Sequence, residues 1–512
     1  MLKYLKKRPM LLCGILGSFL CVIGYYSQIT EFFIALGFIL LFFFLKIKRV
    51  KPVFLFVVAV LFTISVSVIV KDSSAQKISS LSGSTVSGSF TVESEPEGHG
   101  SYYYTELKAK KCEGLKKGTK IAVFTDKAGF ECGDIVASEL KLKAVKDKYL
   151  KSDYANKIYI TGSADKIAVI KKQGDGALAA VHKLRLYISK TLFANVGYRE
   201  AATLTAVAYG DKSYISDDFY GCIKSAGVSH VMVVSGMHLA IIVSLTAGLC
   251  EKLFYNAYIK CFAVILTVLG MSALCGFTKS ILRAGFCYVI YAVGLALKRD
   301  NTPENTLGGA VSLIYIFSPF TVFSISFQLS ALSTLGIVAA AAPVNDAVIK
   351  HNLIKNGLIR GLFSSCTVTL SALLFTLPVT VYCFGYISTV SVITNLLISE
   401  AVTAALVLTA AGLVIYAVFP LAGRGVLFFA GVVAHYINAV IEYFGSLKYS
   451  VLELGNGALP MSVALLFTVT AILFACKKHS DNVRLKKINN KIIREGGGRL
   501  IWLSLIHISE PT

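Results

Sequence analysis

The chain has 512 residues, of which 55% are hydrophobic and 16% charged, with a mean hydropathy of +0.68. A soluble domain carries roughly 25% charged residues, so the composition excludes an ordinary water-soluble protein and predicts a polytopic α-helical membrane protein. The net charge of +22 has two sources that suit such a protein: the Lys and Arg excess of cytoplasmic loops, and a surface adapted to a polyanion.

Three apolar runs open the chain, Met10 to Tyr25, Ile29 to Leu45 and Val53 to Val70. Each is near the roughly 17–25 residues that a spanning helix needs. Lys3, Lys6, Lys7 and Arg8 precede the first, and Lys46, Lys48, Arg49 and Lys51 follow the second. Both basic clusters are therefore expected in the cytoplasm, and the segment from about Lys71 to Lys190 outside. The first run has no small-x-small cleavage site and further spans follow directly, which argues against a signal peptide.

The external segment is expected to be β-rich. Short alternating runs occur at Ser87 to Val92, Tyr102 to Ala109, Lys120 to Thr125, Ile135 to Val145 and Lys157 to Thr161, separated by Gly, Ser and Asp turns. Five such strands suit a small OB-like barrel, a fold that binds oligonucleotides. Tyr102, Tyr103 and Tyr104 offer faces for single-stranded bases, or, since alternation sends neighbours to opposite faces, fill part of the barrel core. Cys112 and Cys132 fall together in this segment, where oxidation is permitted. A disulfide between them is expected to staple the small domain.

Residues 177–226 are expected to form amphipathic helices on the membrane surface. Leu178, Val181, Leu184, Ile188, Leu192 and Val196 recur at helical spacing, and a second helix follows near Arg199 to Tyr209. Such helices would gate a pore mouth or only anchor the external domain.

The stretch Gly210 to Ile242 runs from a polar segment into a membrane span carrying His230, Ser235, Gly236 and His238. Polar and ionisable groups at membrane depth are costly and face a bundle interior or a water-filled path. Further spans are expected at Val231–Leu249, Ile259–Cys275, Leu282–Leu297, Thr306–Phe317, Val322–Ala341, Leu358–Phe384, Ser388–Tyr416, Val426–Phe444 and Ser462–Cys476. With the first three this makes about 12 spans and returns the C-terminus to the cytoplasm. Thr306–Phe317 is too short to cross unaided and is expected to be re-entrant or broken.

The wording of this half resembles the ComEC family of competence DNA channels. The elements are Gly210-Asp211-Lys212-Ser213, Ser229-His230 and Ser235-Gly236-Met237-His238. There follow Gly276 to Gly285 with Ser280 and Arg283, then Phe327-Gln328-Leu329-Ser330, Leu377-Pro378, Phe384-Gly385 and Thr394-Asn395-Leu396-Leu397. Each tetrapeptide is weak by itself, and the ordered set, covering about residues 75 to 475, is strong. The resemblance implies a channel that passes single-stranded DNA across the bacterial cytoplasmic membrane during transformation. It also implies a DNA receptor, a cytoplasmic helicase and a separate nuclease as partners. Asp211, Lys212, His230, Ser235, Gly236, His238, Arg283 and Gln328 are then the candidates for the DNA path.

Residue chemistry gives alternatives to these roles. Arg283 would pair with a phosphate or an acidic residue, or snorkel to the interface. Gln328 and Asn395 would bond between helices. His230 and His238 are too few for a closed metal site, so no metal or other cofactor is expected. Many ComEC-type proteins carry a metallo-β-lactamase-like domain, but no His-x-His-x-Asp-His set occurs in this sequence. No enzymatic activity is therefore expected.

The expected organisation is three helices over 1–70, the external domain over 71–176, the amphipathic helices over 177–226, the channel domain over 227–478 and a basic tail over 479–512. The last ten residues of that tail read as translated adapter sequence. The competing readings are an intramembrane hydrolase using Ser235 and His238, and a transporter of another anion.

Overall fold

The computed structural model describes residues 8–26 and, with short breaks, 52–454. Helix α1 spans Pro9–Tyr26 and α2 spans Pro52–Ser79, overlapping the first and third expected spans. The second and twelfth expected spans and the basic tail lie outside the described residues. α2 begins in an apolar run and ends in a polar segment, KDSSAQKIS. Ile78 and Leu81 then pack against the core of the domain that follows.

That domain holds β1 (Thr85–Val92), β2 (Glu97–His99), β3 (Tyr102–Cys112), β4 (Lys120–Thr125), β5 (Ile135–Lys143), β6 (Ile158–Ala164) and β7 (Ile167–Lys171). The strands close a circuit. β1 pairs with β3 and β5, β3 with β4, β4 with β6 and β6 with β5, and only β4–β6 is parallel. Alternation sends Phe90, Leu107, Ile121, Val136, Leu140 and Ile160 inward, where they form one buried core. Five strands thus close without a free edge, giving a β-barrel-like domain. β2 and β7 were not expected; they extend the sheet from β3 and β5.

The expected Cys112–Cys132 disulfide is corrected by the strand register. Both cysteines are thiols. Cys112 Sγ donates to Ser89 O at 3.4 Å, and Cys132 Sγ to Glu93 O at 3.3 Å. Ser89 and Glu93 are four residues apart along β1 and its end, about 13 Å in extended chain. A disulfide needs Cα atoms within about 7 Å.

The membrane part follows with α3 (Ala177–Asn195), α4 (Tyr198–Tyr209), α5 (Asp217–Ser225), α6 (Gly236–Leu253), α7 (Ala257–Leu274), α8 (Lys279–Ala296) and α9 (Pro303–Phe317). After it come α10 (Ile325–Gly336), α11 (Ala342–Lys350), α12 (Gly357–Phe384), β8 (Tyr386–Ser388), α13 (Ser391–Val418), α14 (Pro420–Gly445) and β9 (Val451–Glu453). A π-helical turn at Ile337–Ala341 joins α10 to α11 in one long helix. Among the described residues seven helices are long and apolar enough to cross a membrane. The chain is a polytopic helical membrane protein.

Two expectations meet the structure differently. α9 has 15 residues, about 22 Å at 1.5 Å per residue, against a hydrocarbon core of about 30 Å. It ends at Phe317 and the chain turns back through a 3₁₀ segment, Pro319–Phe323, before α10. That agrees with a short, broken element. α9 packs tightly on α1: a Cβ on Gly14 would stand 3.1 Å from Gly308 Cα. α4, in contrast, does not lie on a surface. Ala201 through Val207 are all buried, and the helix packs among α3, α13 and α14. Its Ala and Thr side chains are small enough for close approach on every side, and Thr203 Oγ1 donates to Asn438 Oδ1 of α14 at 2.7 Å.

Candidate functional site in the membrane bundle

The polar stretch forms a loop between α5 and the start of α6, described at residues 226–232 and 234–235. Its entrance is a tight turn. Gly227 has φ +74° and packs directly on Ser388 and Ser391, and Ser388 Oγ donates to Ser225 O at 2.7 Å. Any side chain at 227 would meet both backbone strain and these serines. Gly210, the left-handed cap of α4, lies against the other end of the loop, 3.2 Å from Val234 Cγ2 to a Cβ built on it. Two motifs separated by some twenty residues of sequence thus form one site.

Asp211 is occupied locally. Its Oδ1 accepts from Ser213 N at 3.0 Å and Ser213 Oγ at 2.6 Å, an Asx turn that fixes the exit from α4. Lys212 Nζ lies 5.4 Å above the Tyr220 ring, and Lys224 Nζ 4.4 Å from the same ring. The pair makes a cation–π stack at the head of the bundle.

Ser235 caps α6. Its Oγ accepts the N–H of Met237 at 3.2 Å. His238 folds back over the same helix end, and its Nδ1 accepts the Ser235 N–H at 3.1 Å, with Ser235 Oγ also 3.1 Å away. Because Nδ1 takes a backbone N–H, the neutral ring carries its proton on Nε2. His238 is fully buried and Nε2 has no hydrogen-bond partner. His230 is exposed in this loop, with Asn395 of α13 as a neighbour.

Gly236 is the contact between α6 and α8. A Cβ there would stand 3.3 Å from Ala284 Cβ and 3.4 Å from Arg283 Nη2. Arg283 is buried. Its Nε donates to Ser330 Oγ of α10 at 2.9 Å, and Ser330 Oγ is 3.1 Å from Ser280 Oγ. Ser280 and Ser330, which entered the sequence reading only as parts of family motifs, are thus brought together with Arg283 at the site. Gln328 is not drawn in: its Nε2 donates to Val322 O at 2.7 Å, closing the turn before α10.

The three barrel tyrosines divide. Tyr102 and Tyr104 share the outer face of β3 with Phe124 of β4, each with ring centroids 5.7 Å from that of Phe124. Tyr102 and Phe124 are exposed. Tyr103 alternates to the other face. The same sheet face is not simply basic. Lys108 pairs with Glu93 at 2.7 Å, and Lys120 pairs with Glu93 and, at 3.7 Å, with Glu106. Burial pushes the Glu93 carboxyl up, but the two lysines outweigh it and hold it below its ordinary value. For Glu106, burial wins over Lys120 and the carboxyl is raised. Nearby, Lys279 Nζ at the start of α8 donates to Asn156 Oδ1 at 2.6 Å, so this flank of the barrel rests on the bundle.

Comparison with known proteins fits this geometry. A family model described as "Competence protein" matches residues 207–479. The chain belongs to the Competence protein family. It is also 27% identical over 275 residues to ComE operon protein 3 of Bacillus subtilis (strain 168). That match covers 52% of this chain and 33% of the relative, so it spans about a third of the relative's length. No solved structure matches the chain. The family match begins within α4 and takes in the Gly210 turn, the His230 loop, the α6 cap and Arg283.

Proposed function

We propose that this chain is the channel by which single-stranded DNA crosses the bacterial cytoplasmic membrane during natural transformation. The observation that carries the reading is the loop from Gly227 to His238, which places polar side chains among membrane helices within the family-matched region. His230, exposed in the loop before α6, is the lining residue of that path, and Ser235, Gly236, His238 and Arg283 form its wall. Asp211 and Lys212 shape the mouth. The barrel is of the OB type: its five-stranded closure supports this, and the outer face of β3–β4 is where such folds take oligonucleotides. Tyr102, Tyr104 and Phe124 are the stacking surface there.

In the arrangement we propose, about 12 spans place the barrel outside, the segments 71–176 and 227–478 acting as collector and channel. A DNA receptor, a cytoplasmic helicase and a separate nuclease act with it. The chain itself performs no catalysis. The test is uptake of labelled DNA by cells with and without this gene, with Ser235→Ala and His238→Ala variants at matched membrane expression.

One observation favours a second reading, an intramembrane hydrolase: Ser235 Oγ lies 3.1 Å from His238 Nδ1, closer than a three-residue spacing on a regular helix suggests. Against it, that Nδ1 lone pair is shared with the Ser235 N–H, and Nε2 has no orienting partner. Ser235→Ala separates the two. A channel keeps most of its uptake, whereas a hydrolase loses all activity.

A further inference from the structure

Four helices, α6, α8, α10 and α13, start on the same side of the bundle. α6 contacts α8 through Gly236 and Arg283, α8 contacts α10 through Arg283 and Ser330, and the loop before α6 contacts the start of α13 through Gly227 and Ser391. None of the four has an acidic residue in its first turn. Each helix start carries the equivalent of about half a positive charge. Their convergence makes this a positive region before any side chain is counted.

Two side chains sharpen it. Arg283 brings a full charge to within contact of Gly236, the first residue of α6. It is 5% exposed; its Nε donates to the Ser330 hydroxyl, and the Cys287 thiol and the Tyr288 phenol are the ionisable groups beside it. No carboxylate pairs with it among the described residues, and a buried guanidinium so placed is expensive unless something else supplies the negative charge. His238 is the second. Its Nδ1 is held as an acceptor, so the buried Nε2–H is a donor that finds no acceptor among the described residues, a costly state for a buried polar group. The α6 start, the His238 Nε2–H and the Arg283 guanidinium are thus donors or positive ends around Gly236, and an oxyanion is the group that complements them.

We propose that the start of α6, the His238 Nε2–H and the Arg283 guanidinium form a site for one phosphodiester of the passing strand. This rests on the channel reading and deepens it: the backbone, and not the bases, is held at this point. Helix starts and arginine are the two usual devices for binding phosphate oxygens. A site that reads only the backbone accepts any sequence. It also favours anions over cations at the bundle mouth.

The test uses the full chain in lipid nanodiscs, with a photoreactive phenylalanine analogue replacing either Met237, beside the site, or Tyr102, on the outer face of the barrel. Labelled oligothymidylate is expected to crosslink at both positions. Arg283→Gln should lower the crosslink at 237 at least tenfold and leave that at 102 unchanged, while Arg283→Lys retains most of it. An oligomer of the same length with an uncharged methylphosphonate backbone should label 102 and not 237. If Arg283→Gln does not accumulate in the membrane, His238→Phe carries the same expectation. A crosslink at 237 that survives these changes, or that the uncharged oligomer reproduces, overturns the phosphate site and leaves the channel reading in place. Absence of any crosslink at 237 in the otherwise unaltered chain overturns the channel reading itself. Protection of 237 by inorganic phosphate without any DNA crosslink there would assign the site to a free anion and overturn its assignment to the strand.

Discussion

Gly236 offers the most discriminating mutation. A methyl group at this position would stand 3.3 Å from Ala284 Cβ and 3.4 Å from Arg283 Nη2, while carbon atoms prefer about 3.5–4.0 Å. Gly236→Ala therefore asks its neighbours to yield by a few tenths of an ångström and should reduce DNA uptake only a few-fold. Gly236→Leu adds three more carbons where Arg283 and Ala284 already stand. Overpacking of this kind costs about 1–3 kcal/mol, and the strain falls on the α6–α8 contact and on the guanidinium. Every 1.4 kcal/mol is about tenfold, so uptake should fall by about ten- to a hundredfold at matched membrane expression. Gly412→Leu is the control. A Cβ there meets Leu427 Cδ2 at 2.7 Å between α13 and α14, so it overpacks the bundle away from the site. Its uptake should follow its stability alone. Wild-type uptake by Gly236→Leu, or equal losses from both variants at equal residual stability, would refute the assignment of Gly236 to the path wall.

Other outcomes follow from the barrel. Phe90 is completely buried in its core, so Phe90→Ala should cost about 3–5 kcal/mol, read as a lower unfolding midpoint of the barrel domain. Cys112 and Cys132 should both be alkylated in denatured, non-reduced protein; a linked peptide pair in mass spectrometry would contradict the strand register. Burial, reinforced by Glu106, pushes the Asp153 carboxyl up to about 6, above its ordinary value of about 3.9. The folded domain then binds more protons than the unfolded chain between those values, so this group makes stability fall as pH rises through about 4 to 6. Asp153→Asn should flatten that dependence, and an unchanged melting profile between pH 4 and 7 would contradict it.

How far the sequence reached depends on the range of the interaction. β4 was legible to the residue, Lys120–Thr125, because alternation is a local property bounded by turn residues. Most spans were legible for the same reason: a long apolar run needs no partner to be recognised. α4 was misplaced because its Ala and Thr residues give no strong stripe, and its burial is decided by α13 and α14, some two hundred residues later. The Arg283–Ser330 bond joins helices 47 residues apart, and nothing in either local pattern points to the other. The Ser235–His238 contact comes from the cap at the start of α6, which a three-residue spacing in the sequence does not reveal. The disulfide failed on register: nearness in sequence put both cysteines in one domain, and the strand set them at different heights.

The central claim is that this bundle passes single-stranded DNA, and the direct measurement is transport by the isolated protein. The chain would be reconstituted in liposomes enclosing a single-strand-binding trap, with fluorescent single-stranded oligomers added outside. The account predicts time-dependent, nuclease-protected accumulation of oligomer inside, reduced at least tenfold by Gly236→Leu and little changed by Ser235→Ala. No accumulation above empty liposomes, or accumulation that Gly236→Leu leaves untouched while Ser235→Ala abolishes it, would contradict the account.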